Sequence, residues 1–551
     1  MKKSIILSGA VVTAALFSWS CQDSANKERV PVADLINVID GTDFSKHVAV
    51  LAHDSLEGRK PFSPGEDKTI RYLKEEFEKL GLEPGNNGSF FQEVPLVEIE
   101  SKPEGNLQIA GPGGSLSLKY LDDFVGGTRK VTEEAALKES EIVFVGHGIV
   151  APEYGWNDYA GIDVKGKTVV AIANDPGFSD STLFRAKNMT YYGRWTYKFE
   201  EAARQGASGI LLIHEQEPAG YGWNVVRSSW GKSKLYLQPE DNNMGYPEME
   251  GWLTGDAAVR LFKAAGVKED LIAAAKKQGF KPVTLPLKAS VTFKNDLHKS
   301  VSNNVLAVWP GTDRKDEVII YTAHWDHLGI GEAIDGDSIY NGAIDNATGT
   351  AALLEIAKAF VAAGEKPSRS VMFLAVTAEE QGLLGSEFYA TNPVFPVEKT
   401  VANINMDAMN PFGRTKDIIV VGMGQSELEE HLAEAAKRQG RHTKGMANQS
   451  TGTYFRSDHF NFAKVGIPAL YAGGGDEPID VDPETYAERG KAYGKRGYHA
   501  PFDEYDPETW DISGIIDNMR LFFDMGYHLS NSNIFPGWKE GSEFKAIREK
   551  K

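Results

Sequence analysis

The sequence predicts an α/β fold: a three-layer α/β/α main domain on a mixed, mostly parallel sheet, interrupted by an inserted β-rich domain. Three observations predict it. From 300 to about 530, apolar β-branched runs alternate with helical patterns, as strands do when they run parallel with helices on both faces. Between roughly 100 and 295 the texture changes to short β-branched runs broken by Gly, Pro and Asp. Ahead of the insert, Ile70, Leu73, Phe77 and Leu80 repeat at helical spacing with Gly81 as a stop. That helix has nothing nearby to pack against, so it belongs with the later unit.

Taken in order, the chain opens MKKSIILSGAVVTAALFSWSC, two lysines and an apolar run too short for a comfortable membrane span, which reads as a signal peptide over 1–20. Cys21, the only cysteine, resembles the acylated cysteine of bacterial lipoproteins. The expectation is therefore an exported lipoprotein, held in the periplasm or at the cell surface and touching a membrane only through the lipid on Cys21. Residues 21–38 read as a tether. Segments 39–100 and 296–535 form the discontinuous main domain, 101–295 the insert, and 536–551 a C-terminal tail. Within the main domain the expected strands are EVII (317–320) running on into YTAH, SVMFLAV, TVANINM, IIVV and the stretch GIPALYAGG; helices fall on TGTAALLEIAKAFVAAG, 427–439 and 511–528.

Composition narrows the function. The 551 residues are 41% hydrophobic and 25% charged, which supports a large core. A formal net charge of -18 without a basic stripe excludes nucleic acid as a natural partner. With one cysteine no internal disulfide forms, so stability rests on burial and bound metal.

The chemistry lies where strands end. His324 and Asp326 follow the strand at 317–323, Glu379 and Glu380 follow SVMFLAVTA, and Asp407 follows TVANINM. Asp345 stands at a helix entrance, and His499 lies in YHAPFDEYD. In open α/β sheets such carboxyl ends converge on one crevice. Imidazoles with carboxylates and no thiolate suit Zn²⁺, with Co²⁺ or Mn²⁺ as possible substitutes. A pair of ions about 3.5–4 Å apart needs a bridging carboxylate, and Asp345 is the candidate. Singly, each element is weak: an HxD pair is usually a surface turn and a Glu pair a solvated rim. Together and in order they make a specific constellation.

The segments TAHWDHLG, NGAIDNATGTAALLE, TAEEQGLLGS, NINMDAM, SDHFNFAKVGIPAL and YHAPFDEYD, with LAHDSLEGRKPFSPGEDKTIRYLKEEFEKLGL before the insert, resemble the co-catalytic di-zinc metallopeptidases that include bacterial leucyl aminopeptidases, glutaminyl cyclases and glutamate carboxypeptidase. DVKGKTVVAIAND and KFEEAARQGASGILLI resemble the protease-associated domain inserted in several of these enzymes. The resemblance implies a zinc-dependent exopeptidase with two Zn²⁺. His324 and Glu380 would hold one metal, Asp407 and His499 the other, and Asp345 would bridge. Glu379 would be the general base, and Asp326 would accept the second ring N–H of His324. His327 would support a ligand rather than be one. Asp458 and His459 match a motif lining the substrate cleft, and Trp325, Tyr454 and Phe455 are candidates for an apolar pocket. Arg194, in YYGRWTYK, lies one residue out of register with a carboxylate-binding arginine of the carboxypeptidase branch. His147 and His214 read as structural. The acidic composition favours an aminopeptidase on peptide substrates over a carboxypeptidase or dipeptidase; a non-catalytic binding protein on the same scaffold would be expected to have lost ligands.

Overall fold

The structure, a computed structural model, describes residues 35–550. The expected signal peptide, Cys21 and most of the tether lie outside the described residues. The last tether positions do not hang free: Leu35 and Ile39 are buried, and Arg520 donates to the carbonyls of Ile36 and Ile39. Their apolar side chains account for this burial. Among the described residues no helix is long and apolar enough to cross a membrane.

The main sheet is mixed and mostly parallel. Its strands are β1 (Phe91–Pro103), β2 (Val283–Trp309), β3 (Arg314–His324), β4 (Arg369–Val376), β5 (Thr400–Asn405), β6 (Asp417–Val420), β7 (His442–Gly445) and β8 (Ala469–Gly474). They lie side by side as β1-β2-β4-β3-β5-β8-β6-β7. β4, β3, β5 and β8 are mutually parallel, and β2 pairs antiparallel with both β1 and β4. Alternation along β3 sends Ile319, Tyr321 and Ala323 to one face and Val318 and Ile320 to the other. The first face packs on α1 (Gly41–Leu51), α2 (Pro64–Lys79), α3 (Thr348–Ala362), α4 (Leu428–Arg438) and α5 (Ser513–Asn531). The second packs on the shorter helices Leu384–Thr391 and His459–Lys464. Burial on both faces is why these strands read as unbroken apolar runs.

α2 follows its sequence signals. Ser63 caps it by accepting from Gly65 N–H, Pro64 opens it, Leu73 and Phe77 are fully buried, and Gly81 closes it at φ +79°.

The insert is spliced in by two long strands, for β1 and β2 run continuously through positions 100 and 296 and pair antiparallel over most of β1. It is rich in strand, as expected, but its centre is parallel: Glu134–Phe144, Thr168–Ile172, Gly209–His214 and Met249–Thr254 lie adjacent and in the same direction. Parallel neighbours require crossovers, and helix Trp195–Arg204 supplies one of them. His147 and His214 are buried and bonded to the carbonyls of Asn174 and Tyr221, which are structural positions. The C-terminal segment also packs: Trp538 and Phe544 enter a cluster with Phe455 and Phe460.

Candidate metal centre

Because β4, β3 and β5 are parallel neighbours, the segments leaving their carboxyl ends meet over one patch. His324 ends β3, Glu379 and Glu380 lie just after β4, and Asp407 lies two residues after β5. The loop before α3 brings Asp345, and His499 arrives from the segment ahead of α5. The backbone is bent to present them: Ala378, Ala408 and His499 all have φ between 50° and 55°. Non-glycine residues in that region cost of order 1–3 kcal/mol each and gather at functional sites. The Asp345–Asn346 peptide is cis.

His324 Nε2 lies 3.2 Å from Asp345 Oδ1, 3.3 Å from Asp407 Oδ1 and 4.0 Å from Glu379. On the other side, His499 Nε2 lies 3.3 Å from Asp345 Oδ2 and 3.1 Å from Glu380 Oε2. Asp345 therefore faces both imidazoles with different oxygens. The donor atoms of His324, Glu379 and Asp407, and those of His324, Asp345 and Glu380, lie within 4.8 Å of one another. These contacts exchange the partners expected from the sequence. His324 is in contact with Asp407, and His499 with Glu380. β3 is the central strand of the three, so His324 can face either neighbour, and side-chain direction decides.

Electrostatics show what this centre suits. Burial would lower the pKa of His324, yet Glu379, Asp345 and Asp407 hold it well above the ordinary value. His499, opposed by the same burial, is raised to about 10 by Asp345 and Glu380. Burial pushes Glu379 well up, with Asp407 and Glu380 adding to the shift against the opposing charge of His324. Glu380 goes the other way, to about 2, because His327 and His499 outweigh its burial. So many acids crowded in a buried site repel one another, and a divalent cation relieves that repulsion. Hard oxygens with two imidazoles are a donor set that fits zinc.

A supporting layer fixes these groups. His324 donates its Nδ1 proton to the backbone carbonyl of Asp326 at 3.1 Å, leaving Nε2 to face the acids. The Asp326 carboxylate, expected to take that proton, stands 3.8 Å away. It instead accepts the backbone N–H groups of Glu379 (3.0 Å) and Glu380 (3.4 Å), so it holds the turn that carries the two glutamates. Burial raises its pKa to about 7, partly offset by His324. His327 donates to Glu380 at 2.6 Å, the supporting role expected for it. Ser457 donates to Asp407 at 2.5 Å.

Two further members are not among the candidates that the sequence offers, although both stand in the segments that carry the resemblance. Asp503, four positions after His499, accepts the N–H groups of Ile344 and Asp345 and orients the bridging candidate. Arg59, in LEGRK, is 1% exposed and donates to the carbonyls of Leu51, Trp325, Asn341 and Gly342. It thereby ties the chain beside His324 to the loop leading to Asp345. Gly342 is required there: at φ +58° a Cβ would meet the Asp345 carbonyl at 2.3 Å and the His327 ring at 2.4 Å. Arg59→Met leaves several buried carbonyls unpaired, so it should cost at least about 3 kcal/mol in denaturant unfolding and lower the metal content of purified protein. Unchanged stability and metal content would refute this role.

The centre opens on a cavity of about 830 Å³ lined by Asp345, Glu379, Glu380, Asp407, Tyr498 and His499 at one end and by the insert at the other. The Tyr498 ring stacks on His499 with centroids 3.9 Å apart. Arg194 lines this cavity, as its candidacy for substrate contact requires. Asp458, His459 and Tyr454 do not: they are buried behind the wall, where the Tyr454 ring meets His459 edge-on at 4.5 Å. Tyr454 lies in the turn Thr453–Phe455 and Asp458 and His459 at the start of helix His459–Lys464, while Phe455 and Arg456 line the cavity. Trp325 is core, donating to the Asn303 carbonyl.

Residues 304–522 match the model of Peptidase family M28. Among curated proteins, the chain is 24% identical over 437 residues to a probable glutamate carboxypeptidase of Arabidopsis thaliana, AMP1, covering 72% of this chain and 55% of that one. It is 34% identical over 161 residues to the mouse aminopeptidase NAALADL1, covering 28% of this chain and 20% of that one. With the aminopeptidase YwaD of Bacillus subtilis it shares 29% identity over 348 residues, 61% of this chain and 60% of that one. The match thus spans little more than half the length of the plant relative. Among solved structures, an aminopeptidase from Aneurinibacillus sp. strain AM-1 aligns over 91% of this chain and 96% of that one, at 19% identity and TM-score 0.47. The candidate metal centre thus lies in the part of the chain that is similar to Peptidase family M28.

Proposed function

We propose that this protein is a zinc-dependent exopeptidase, an aminopeptidase that removes N-terminal residues from peptides. The observation that carries the reading is the convergence of His324, Asp345, Glu380, Asp407 and His499 around one patch, with Glu379 beside them and a cavity in front. His324 and Asp407 would hold one Zn²⁺, Glu380 and His499 a second, with Asp345 shared. Bound zinc supplies Lewis acidity, which acidifies water and polarises a carbonyl.

The chain's own residues do the rest. Glu379 is placed to take a proton from the attacking water and return it to the leaving amine, and burial with neighbouring acids gives its carboxylate the raised basicity this needs. Asp326 keeps Glu379 on station through its backbone N–H, and the insert closes the far side of the cavity. Acids around the centre suit an α-ammonium group, which favours action at the amino end. The relatives named aminopeptidase support the same reading, while the plant relative and Arg194 in the cavity favour a second one, a carboxypeptidase or dipeptidase.

Amino-acid nitroanilides and blocked dipeptides separate the two. Cleavage that requires a free amino end and tolerates a blocked carboxyl end is the expected result. A requirement for the free carboxyl end with indifference to the amino end selects the carboxypeptidase.

A further inference from the structure

The five donors of the centre are not held equally. His324, Asp345, Glu380 and Asp407 expose at most 11% of their side chains, whereas His499 exposes 37%. It stands on a turn with little burial to fix it: Lys491, Ala492 and 494–496 are exposed, and from 491 to 498 Gly497 alone is buried. A segment without an apolar anchor is placed by its polar contacts and opens readily when they are lost. One tie, Arg496 to Asp335 at 3.4 Å, joins two exposed side chains and is worth little.

Tyr493 holds the turn from two sides. Its carbonyl accepts the N–H of Tyr498 at 2.9 Å, and the Tyr498 ring lies on His499. Its ring packs against the same turn, for a Cβ on Gly497 would stand 2.5 Å from Tyr493 Cδ2. Its hydroxyl donates to Asp503 Oδ2 at 3.2 Å, the oxygen that also accepts the Asp345 N–H at 3.0 Å. The other Asp503 oxygen accepts the Ile344 N–H at 2.8 Å, and the Asp503 carbonyl accepts the Ala343 N–H at 2.9 Å. Because His499 Nε2 meets Asp345 Oδ2 at 3.3 Å, these contacts close a ring that runs from Asp345 through Asp503, Tyr493, Tyr498 and His499 back to Asp345. In a closed ring no member shifts without breaking a contact, which is how a supporting layer locks ligand geometry.

We propose that Tyr493 is a positioning residue of the metal centre: through Asp503 on one side and the 493–499 turn on the other, it sets His499 against Asp345. It thereby governs the zinc that these two would share with Glu380. The proposal rests on the zinc reading for what His499 and Asp345 hold; the ring of contacts stands without it.

Tyr493→Phe keeps the ring and the backbone and removes only the hydroxyl. Tyr486→Phe is the control, since it removes a hydroxyl bonded to the Gly475 carbonyl at 3.0 Å on the helix Pro483–Ala492 and leaves the ring of contacts intact. In the purified protein, hydrogen exchange at the amides of Ile344, Asp345 and Tyr498 should quicken about tenfold in Tyr493→Phe, the worth of one hydrogen bond to a carboxylate, and stay unchanged in Tyr486→Phe. Calorimetric zinc titration should show Tyr493→Phe binding zinc about tenfold more weakly, as loss of a supporting partner does. His499→Ala assigns the effect: on that background Tyr493→Phe should cost little more, because the group it positions is gone. Unchanged exchange at either segment, unchanged zinc affinity, or equal changes in Tyr486→Phe would overturn the proposal, as would losses of zinc affinity from Tyr493→Phe and His499→Ala that simply add. If the unaltered protein takes up no zinc, the metal-centre reading fails separately. Exchange then decides alone: quickening at both segments sustains the positioning role, and no change ends it.

Discussion

Glu379→Gln is expected to lower kcat/KM by about 10²–10⁴-fold, the usual worth of a positioned general base, while the protein retains its zinc. The amide keeps the size and shape of the side chain but has no basic oxygen for a proton. The donors His324, Asp345, Glu380, Asp407 and His499 are untouched, so metal content by elemental analysis should match the parent protein. Asp326 continues to receive the backbone N–H of residue 379, so the turn should stay in place. A variant with near-parental kcat/KM would remove Glu379 from the chemistry. A variant that has lost its metal would instead make Glu379 a ligand, which its 4.0 Å approach to His324 Nε2 makes a meaningful alternative.

Removing the metal should have the larger effect. Treatment with a chelator is expected to take hydrolysis to background and to lower the thermal midpoint, with Zn²⁺ restoring both and Co²⁺ or Mn²⁺ restoring activity to differing degrees. Both effects have one origin. With the cation gone, Asp345, Asp407, Glu379 and Glu380 face one another across a few ångströms of buried space, and the neighbouring His324, His499, His327 and Arg59 are left to offset their charge. A ligand held a thousandfold above its dissociation constant stabilises a fold by about 4 kcal/mol, and that contribution disappears on chelation. Activity that survives chelation would exclude a metal-dependent mechanism. Loss of activity with an unchanged melting curve would indicate a centre only weakly coupled to the fold.

The chemical groups of the centre are legible in the chain itself. His324, Glu379, Glu380 and Asp407 each follow an apolar run, and polar residues placed immediately after buried strands must be paired or bound. Helix α2 is legible because its cap, its apolar spacing and its terminal glycine agree. Supporting residues are harder to see. Arg59 lies 266 positions from Trp325, whose carbonyl it binds, and nothing local in LEGRK announces that partner. The resemblance points the Asp326 carboxylate at the His324 imidazole, whereas the backbone carbonyl of the same residue lies better for that bond and frees the carboxylate for the glutamate turn. The resemblance places Asp458 and His459 at the cleft, but they stand where a short helix begins and are buried, as is Tyr454 in the turn before it.

Hydrophobic periodicity and strand-end polarity are local properties written along one dimension, and they suffice for the layered α/β architecture, the insert and the donor set. Which imidazole meets which carboxylate and what holds the glutamate turn emerge only in three dimensions. Those outcomes depend on the spatial order of β4, β3 and β5 and on side-chain direction at ångström scale, and residues far apart in the chain share no local signal that could encode them.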